Sequence, residues 1–132
     1  MPPPPHVDDP TILDTTKLWR RLSPLWVVSD GNGGVRISSA AFDDSPDGSP
    51  MSVLISDVVA ETQRTAATVI AAYPGYGLAE ITAGAVRNCR QGVMRTPELG
   101  DDAHASVFGA KTKGNKRAMA KAAIFLIRLH AL

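Results

Sequence analysis

The chain has 132 residues and carries 14 Lys and Arg against 13 Asp and Glu, a formal net charge of +1. That length holds one domain of ordinary size, and 44% hydrophobic residues supply a core, which excludes wholesale disorder. A single cysteine, Cys89, excludes an internal disulfide and a Cys-rich zinc site, and no apolar run approaches the ~20 residues that cross a bilayer.

Five of the first ten residues are proline and two are aspartate, so residues 1–14 are expected to form a disordered tail. A single α+β domain is expected over residues 15–132. The start also lacks the basic and apolar regions of a secretory leader, so the expected compartment is the cytoplasm. Lys17–Leu22 and Leu25–Ser29 read as short strands around Ser23-Pro24, with Trp19 and Trp26 as large apolar anchors. Asp30-Gly31-Asn32-Gly33-Gly34 is a turn signal, and Val35–Ser39 reads as the return strand of a hairpin. A polar loop rich in breakers follows at residues 43–50. Met51–Ile55 reads as a buried strand. A helix is expected from Ser56 or Asp57 to about Tyr73, on the stripe Val58, Val59, Thr62, Ala66, Val69 and Ile70. Leu78–Thr82 reads as a strand, with Thr82 capping a short helix through Ala85–Cys89. Gly92–Arg95 and Ala105–Phe108 read as two more strands. From Asn115 to about Leu129 there is no Gly or Pro, which predicts a final helix with a basic, exposed start and a buried apolar end. The fold class is therefore α+β: a small mixed or antiparallel sheet with two main helices, the last one C-terminal.

The near-neutral total hides a division. Residues 1–102 carry a balance of −5, whereas residues 103–132 hold six basic side chains and no acidic one. Such asymmetry points to an anionic partner for the basic end, or to an acidic surface of the protein itself at Asp43, Asp44 and Asp47. Gly109 to Lys116 nearly matches the phosphate-binding G-x-x-x-x-G-K-[ST] loop. Asn115 stands at the lysine position and no Ser or Thr follows Lys116, so an NTPase is not expected. Lys111, Thr112, Lys113, Lys116 and Arg117 remain a candidate anion site, where a strand turns into a helix N-terminus.

His104-Ala105-Ser106 is one H-x-[ST] element of the kind that two-histidine phosphoesterases use in pairs. The second is missing, which leaves His104 as a lone acid–base candidate or a strand-capping histidine. Arg36 and Ser38 share one face of a strand and form a second catalytic candidate, for a phosphate or carboxylate. An Arg with a Ser-containing strand also resembles ADP-ribosyltransferases, but no Q/E-x-E glutamate follows. Cys89 lies between Arg87 and Arg90, which would lower its pKa, yet no oriented base is evident and an inert thiol is the expectation. No His, Asp or Glu group has helical metal spacing, so neither metal nor cofactor is expected.

The strings RISSAAF, DGSPMSV and GVMRTP with HASVFGAKT are similar to short uncharacterised proteins of high-GC bacteria, over roughly residues 18–128. The resemblance implies a bacterial, cytoplasmic, single-domain protein and brings no activity with it. The leading expectation is a small binding or accessory protein whose basic C-terminal segment meets an anionic partner. Few exposed aromatics favour an acidic protein surface over nucleic acid. A homodimer is open, and a membrane partner is not expected. The alternative is an enzyme of transferase or phosphoesterase type acting on a phosphorylated or nucleotide ligand, through Arg36, Ser38 and His104.

Overall fold

The computed structural model describes residues 6–128. Its main element is a six-stranded antiparallel sheet with a separate two-stranded hairpin. In chain order the strands are β1 (Lys17–Leu22), β2 (Val27–Ser29), β3 (Val35–Ile37), β4 (Met51–Ile55), β5 (Gly77–Thr82), β6 (Gly92–Arg95), β7 (His104–Phe108) and β8 (Ile124–Ile127). The helices are α1 (Ser56–Glu61), α2 (Ala66–Ile70), α3 (Ala83–Asn88) and α4 (Lys113–Ala122). Across the sheet the strands run β6-β7-β4-β1-β5-β8, and β2 pairs β3 apart from them.

Alternation along the strands sorts the side chains onto two faces. Leu18 and Leu22 of β1 lie with Met51, Val53, Ile55, Ala79, Ile81, Val93, Ala105 and Val107 on one face. Val86 of α3, Met119 of α4, and Ala41 and Phe42 of the 3-10 turn Ser39–Phe42 close this core. On the other face Leu54 and Leu78 pack with Val59 of α1, Val69 of α2 and Ala103, and Trp19 borders them. Beyond α1 and α2 that face stays open, leaving a hollow.

The α+β class holds, but the two-main-helix arrangement does not. Four α-helices are present among the described residues, and three of them have six residues or fewer. The helix expected over 56–73 breaks in two. Thr62 turns its hydroxyl back to the carbonyls of Val58 and Val59, and Gln63 takes a left-handed φ of 60°. Thr65 then opens α2 with a capping box to Thr68. Arg64 leaves this break to hold Asp101 at 2.8 Å, and the Ala103 N–H also bonds Asp101.

That Arg64 hydrogen bond is the main cause holding the Asp101 carboxyl below its usual range. Since the folded value is the lower one, the stabilisation is present above the unfolded value and is lost as pH falls through the folded one. Asp101→Asn is expected to cost about 1–2 kcal/mol at neutral pH. It should also flatten the loss of stability below about pH 5, read from urea unfolding midpoints across pH.

The C-terminal helix is also shorter than expected. It ends at Ala122; Ala123 is extended, and Ile124–Ile127 becomes β8 on the edge of the sheet beside β5. Leu129 lies outside the described residues. Four apolar residues in a row do not distinguish strand from buried helix by periodicity, and β5 offered an unpaired edge. Phe125 and Ile127 face protein, whereas Ile124 and Leu126 remain exposed at 56% and 39%.

The other strands stand close to expectation, with two exceptions: Pro24–Trp26 is a 3-10 turn before β2, and the strand expected over Val35–Ser39 ends at Ile37, where Ser38 caps the 3-10 turn Ser39–Phe42 instead of sharing a strand face with Arg36. The chain also joins the fold before Thr15. Ile12 is 1% exposed in the main core, Asp9 donates its N–H to the Val93 carbonyl, and Asp8 accepts the Val93 N–H. Residues 1–5 lie outside the described residues.

One glycine is set by both conformation and space. Gly109 ends β7 with a φ of 138°, and a Cβ there would stand 2.8 Å from the Arg90 carbonyl oxygen. Gly109→Ala is expected to destabilise by about 1–3 kcal/mol, seen as a lower denaturation midpoint.

Candidate functional site

The sequence candidates separate into three places. The first is an internal ion-pair patch. Lys111 is 5% exposed at its side chain; its ammonium bonds the Val107 carbonyl at 3.0 Å and the Asp44 carboxylate at 2.9 Å. Lys116 reaches Asp43 at 3.1 Å, and this hydrogen bond is the main cause holding the Asp43 carboxyl below its usual range. Thr112 caps α4 by accepting the Asn115 N–H at 3.1 Å. The expected anion site at this helix start is therefore largely satisfied by the protein's own groups. Lys113 lies in the first turn and is exposed.

The second place is a cleft between the β2–β3 hairpin and the far side of α4. Arg36, Ile37, Ser38 and Ser39 form one wall, and Arg117, Ala120 and Lys121 the other, around a volume of about 480 Å³. A second hollow of about 370 Å³ adjoins it, sharing Arg36, Ile37 and Ala120 and adding Ala123, Ile124, Phe125 and Arg128. Arg117 and Lys121 stand one helical turn apart, so both project on the same side of α4. Met119, on the opposite side, is fully buried and anchors the helix.

Four cations thus line the cleft, all exposed, with no carboxylate among the lining residues described. The acid that acts on Arg36 is Asp30 in the hairpin turn. Its carboxylate already accepts the N–H groups of Asn32 and Gly34, which hold its pKa down more than Arg36 does. Ser38 caps the 3-10 turn by accepting the Ala40 N–H at 3.2 Å, and its own N–H bonds the Trp26 carbonyl. Like-charged groups held beside an apolar floor attract an anion and gain from the partial loss of water around it.

The third place holds His104, on the open face of the sheet. Its Nδ1 lies 2.8 Å from the Thr96 carbonyl and 2.9 Å from the Thr96 hydroxyl. On the other side of the ring, Nε2 lies 3.1 Å from the Ser52 hydroxyl and 3.3 Å from the Glu98 carboxylate. His104 and Ser52 line a hollow of about 180 Å³ with Trp19, Arg20, Arg21, Trp26, Tyr73 and Tyr76. Arg36 and Ser38 are not among its lining residues, so the three catalytic candidates do not share one site.

Arg20 enters the protein beneath this hollow. It donates to the carbonyls of Ala41 and Ser52 and stacks on Trp26, and burial pulls its guanidinium down to about 10. Cys89 is 7% exposed, and burial raises its pKa rather than the flanking arginines lowering it. Arg87 turns away to Asp8 and Asp14. Among the described residues no group of three or more His, Cys, Asp and Glu could hold a metal ion, and no helix is long and apolar enough to cross a membrane.

Two contributors to the cleft, Lys121 and Arg128, were absent from the sequence candidates. Their spacing from Arg117 along α4 was a usable signal for Lys121. Arg128 becomes a neighbour only because β8 is a strand. Comparison of the chain with protein-family models, curated proteins and solved structures gives no match.

Proposed function

We propose that this chain is a small cytoplasmic binding protein that holds an acidic segment of a protein partner in the cleft between β3 and the α4–β8 end. The observation that carries the reading is the set Arg36, Arg117, Lys121 and Arg128, four exposed cations around a floor of Ile37, Ala120, Ala123 and Phe125. Charge of one sign steers an acidic partner, and the apolar floor with exposed Ile124 adds contact area. Nucleic acid fits less well. Both tryptophans and both tyrosines line the other hollow, so the cleft has no stacking platform beyond Phe125. The one cysteine is buried and free, as suits a reducing compartment.

The test is fluorescence anisotropy with a labelled glutamate-rich peptide containing leucine, repeated over a salt series, with a labelled DNA duplex beside it. Saturable peptide binding that weakens as salt rises supports the reading. Tighter binding of the duplex, or peptide binding indifferent to salt, overturns it.

A further inference from the structure

The hollow beside His104 has a chemistry of its own. It collects both tryptophans and both tyrosines of the chain, Trp19, Trp26, Tyr73 and Tyr76, together with Arg20 and Arg21. Long-range structure builds it: Trp19 and Arg21 come from the outward face of β1, Ser52 from β4, His104 from β7, and the tyrosines from the segment after α2. The aromatic walls are held by polar ties. Trp19 donates its indole N–H to Glu80 at 3.1 Å, Arg21 donates Nε–H to the Val69 carbonyl and stacks 4.5 Å from the Tyr73 ring centroid, and Tyr73 meets Tyr76 at 5.3 Å. Such walls favour a flat ring, which gains from offset or edge contacts without a change in the protein.

One end of the hollow is polar and rich in acceptors. The Ser52 hydroxyl lies 3.1 Å from His104 Nε2, and whichever of the two donates, the Ser52 oxygen keeps a lone pair for a ligand donor. The Glu98 carboxylate beside Nε2 is a second acceptor. An apolar ring would desolvate these groups without pairing them, at a cost in affinity. A ring bearing N–H groups pairs them. The terminal nitrogens of Arg21 have no hydrogen-bond partner among the described residues and can meet an anion on the far side of the ligand.

We propose that this hollow is a binding site for a small planar heteroaromatic ring carrying an amino or ring N–H group toward Ser52 and an anionic substituent toward Arg21, a chemistry shared by amino-bearing nucleotides and amino-substituted aromatic acids. The site is separate from the basic cleft, so it stands or falls apart from the protein-binding reading.

The experiment is titration of the full chain with adenosine, cytidine and guanosine monophosphates, 4-aminobenzoate and benzoate, following tryptophan fluorescence excited where the nucleotides do not absorb. Trp19 and Trp26 both line the site, so occupancy changes their emission. Saturable binding of a monophosphate or of 4-aminobenzoate at or below about 1 mM, tighter than benzoate, is expected. Nucleotide binding without aminobenzoate binding marks the ligand as a nucleotide, and the reverse marks it as an aromatic acid; either supports the site. Ser52→Ala, which removes one hydroxyl, should weaken binding about tenfold. Tyr73→Ala, at the rim, should weaken it similarly with the melting temperature little changed. The pair Arg117→Glu and Lys121→Glu should leave it unchanged. Benzoate binding as tightly as the amino ligands overturns the proposal, as does no saturable binding of any probe. Binding that survives Ser52→Ala and Tyr73→Ala, or that is lost with the cleft variant, also overturns it.

Discussion

Replacing Arg117 and Lys121 together by Glu is expected to weaken binding of an acidic peptide about 100-fold. Each reversal removes an attractive charge and adds a repulsive one, and a tenfold loss per site corresponds to about 1.4 kcal/mol. The two sites are adjacent on one face of α4, so the new carboxylates would also pair with Arg36 and Arg128 across the cleft. That pairing removes two further cations from the ligand's reach. Both side chains are exposed, so the fold should survive, and an unchanged melting temperature checks this. Lys116→Gln is the control. Its ammonium is directed at Asp43, away from the cleft, and the variant should bind the peptide nearly as well as the parent. Equal losses in both variants would mean that overall charge, not this cleft, attracts the peptide.

The second large effect concerns stability. Ile12→Ala is expected to lower the unfolding free energy by about 2–5 kcal/mol, a large part of the 5–15 kcal/mol typical of a domain. Ile12 is 1% exposed in the main core cluster, where truncation leaves a cavity the surroundings only partly fill. The segment that carries it is tied down on both sides. Thr11 donates its N–H and hydroxyl to Asp9, and these bonds are the main causes holding the Asp9 carboxyl below its usual range. Arg87 grips Asp8 at 3.2 Å, Asp14 at 2.7 Å and the Asp9 carbonyl at 3.0 Å. Val7→Ala, at a position 63% exposed, should change stability by less than about 0.5 kcal/mol. Urea unfolding of the two variants separates the outcomes. Equal small effects would show that the fold does not depend on this segment.

Much of the strand layout was legible because its cues are local. Asp30 to Gly34 forms the expected turn, with Gly31 and Gly33 at φ 84° and the Asp30 carboxylate closing it. Thr82 caps α3 through the Ala85 N–H, as a threonine before a helical stretch predicts. Met51–Ile55, buried almost throughout, is the strand its apolar run implied. The misreadings fall where two states share one composition. The run Ile124–Ile127 suits a buried helix as well as a strand, and only the open edge of β5 selects the strand. Within the expected tail, the acidic stretch from Asp8 to Asp14 joins the fold because Arg87, distant in sequence, supplies its counter-charge.

The candidate sites divide in the same way. The sequence alone located the positive end of the chain and named Arg36, Ser38, Arg117 and His104, because charge and residue type are properties of single positions. It also contained the bland alternative for Lys111 and Lys116, the acidic loop at Asp43 and Asp44. Which cations face a ligand and which face the protein's own carboxylates was decided by tertiary structure, since a helix presents Lys116 and Arg117 in different directions. Tertiary structure likewise parted His104 from Arg36, added Arg128 to the cleft through β8, and gathered four aromatic side chains from two distant stretches, 19–26 and 73–76, around one hollow. No local pattern encodes those placements. They follow from long-range strand pairing, which depends on how all the apolar faces are buried together.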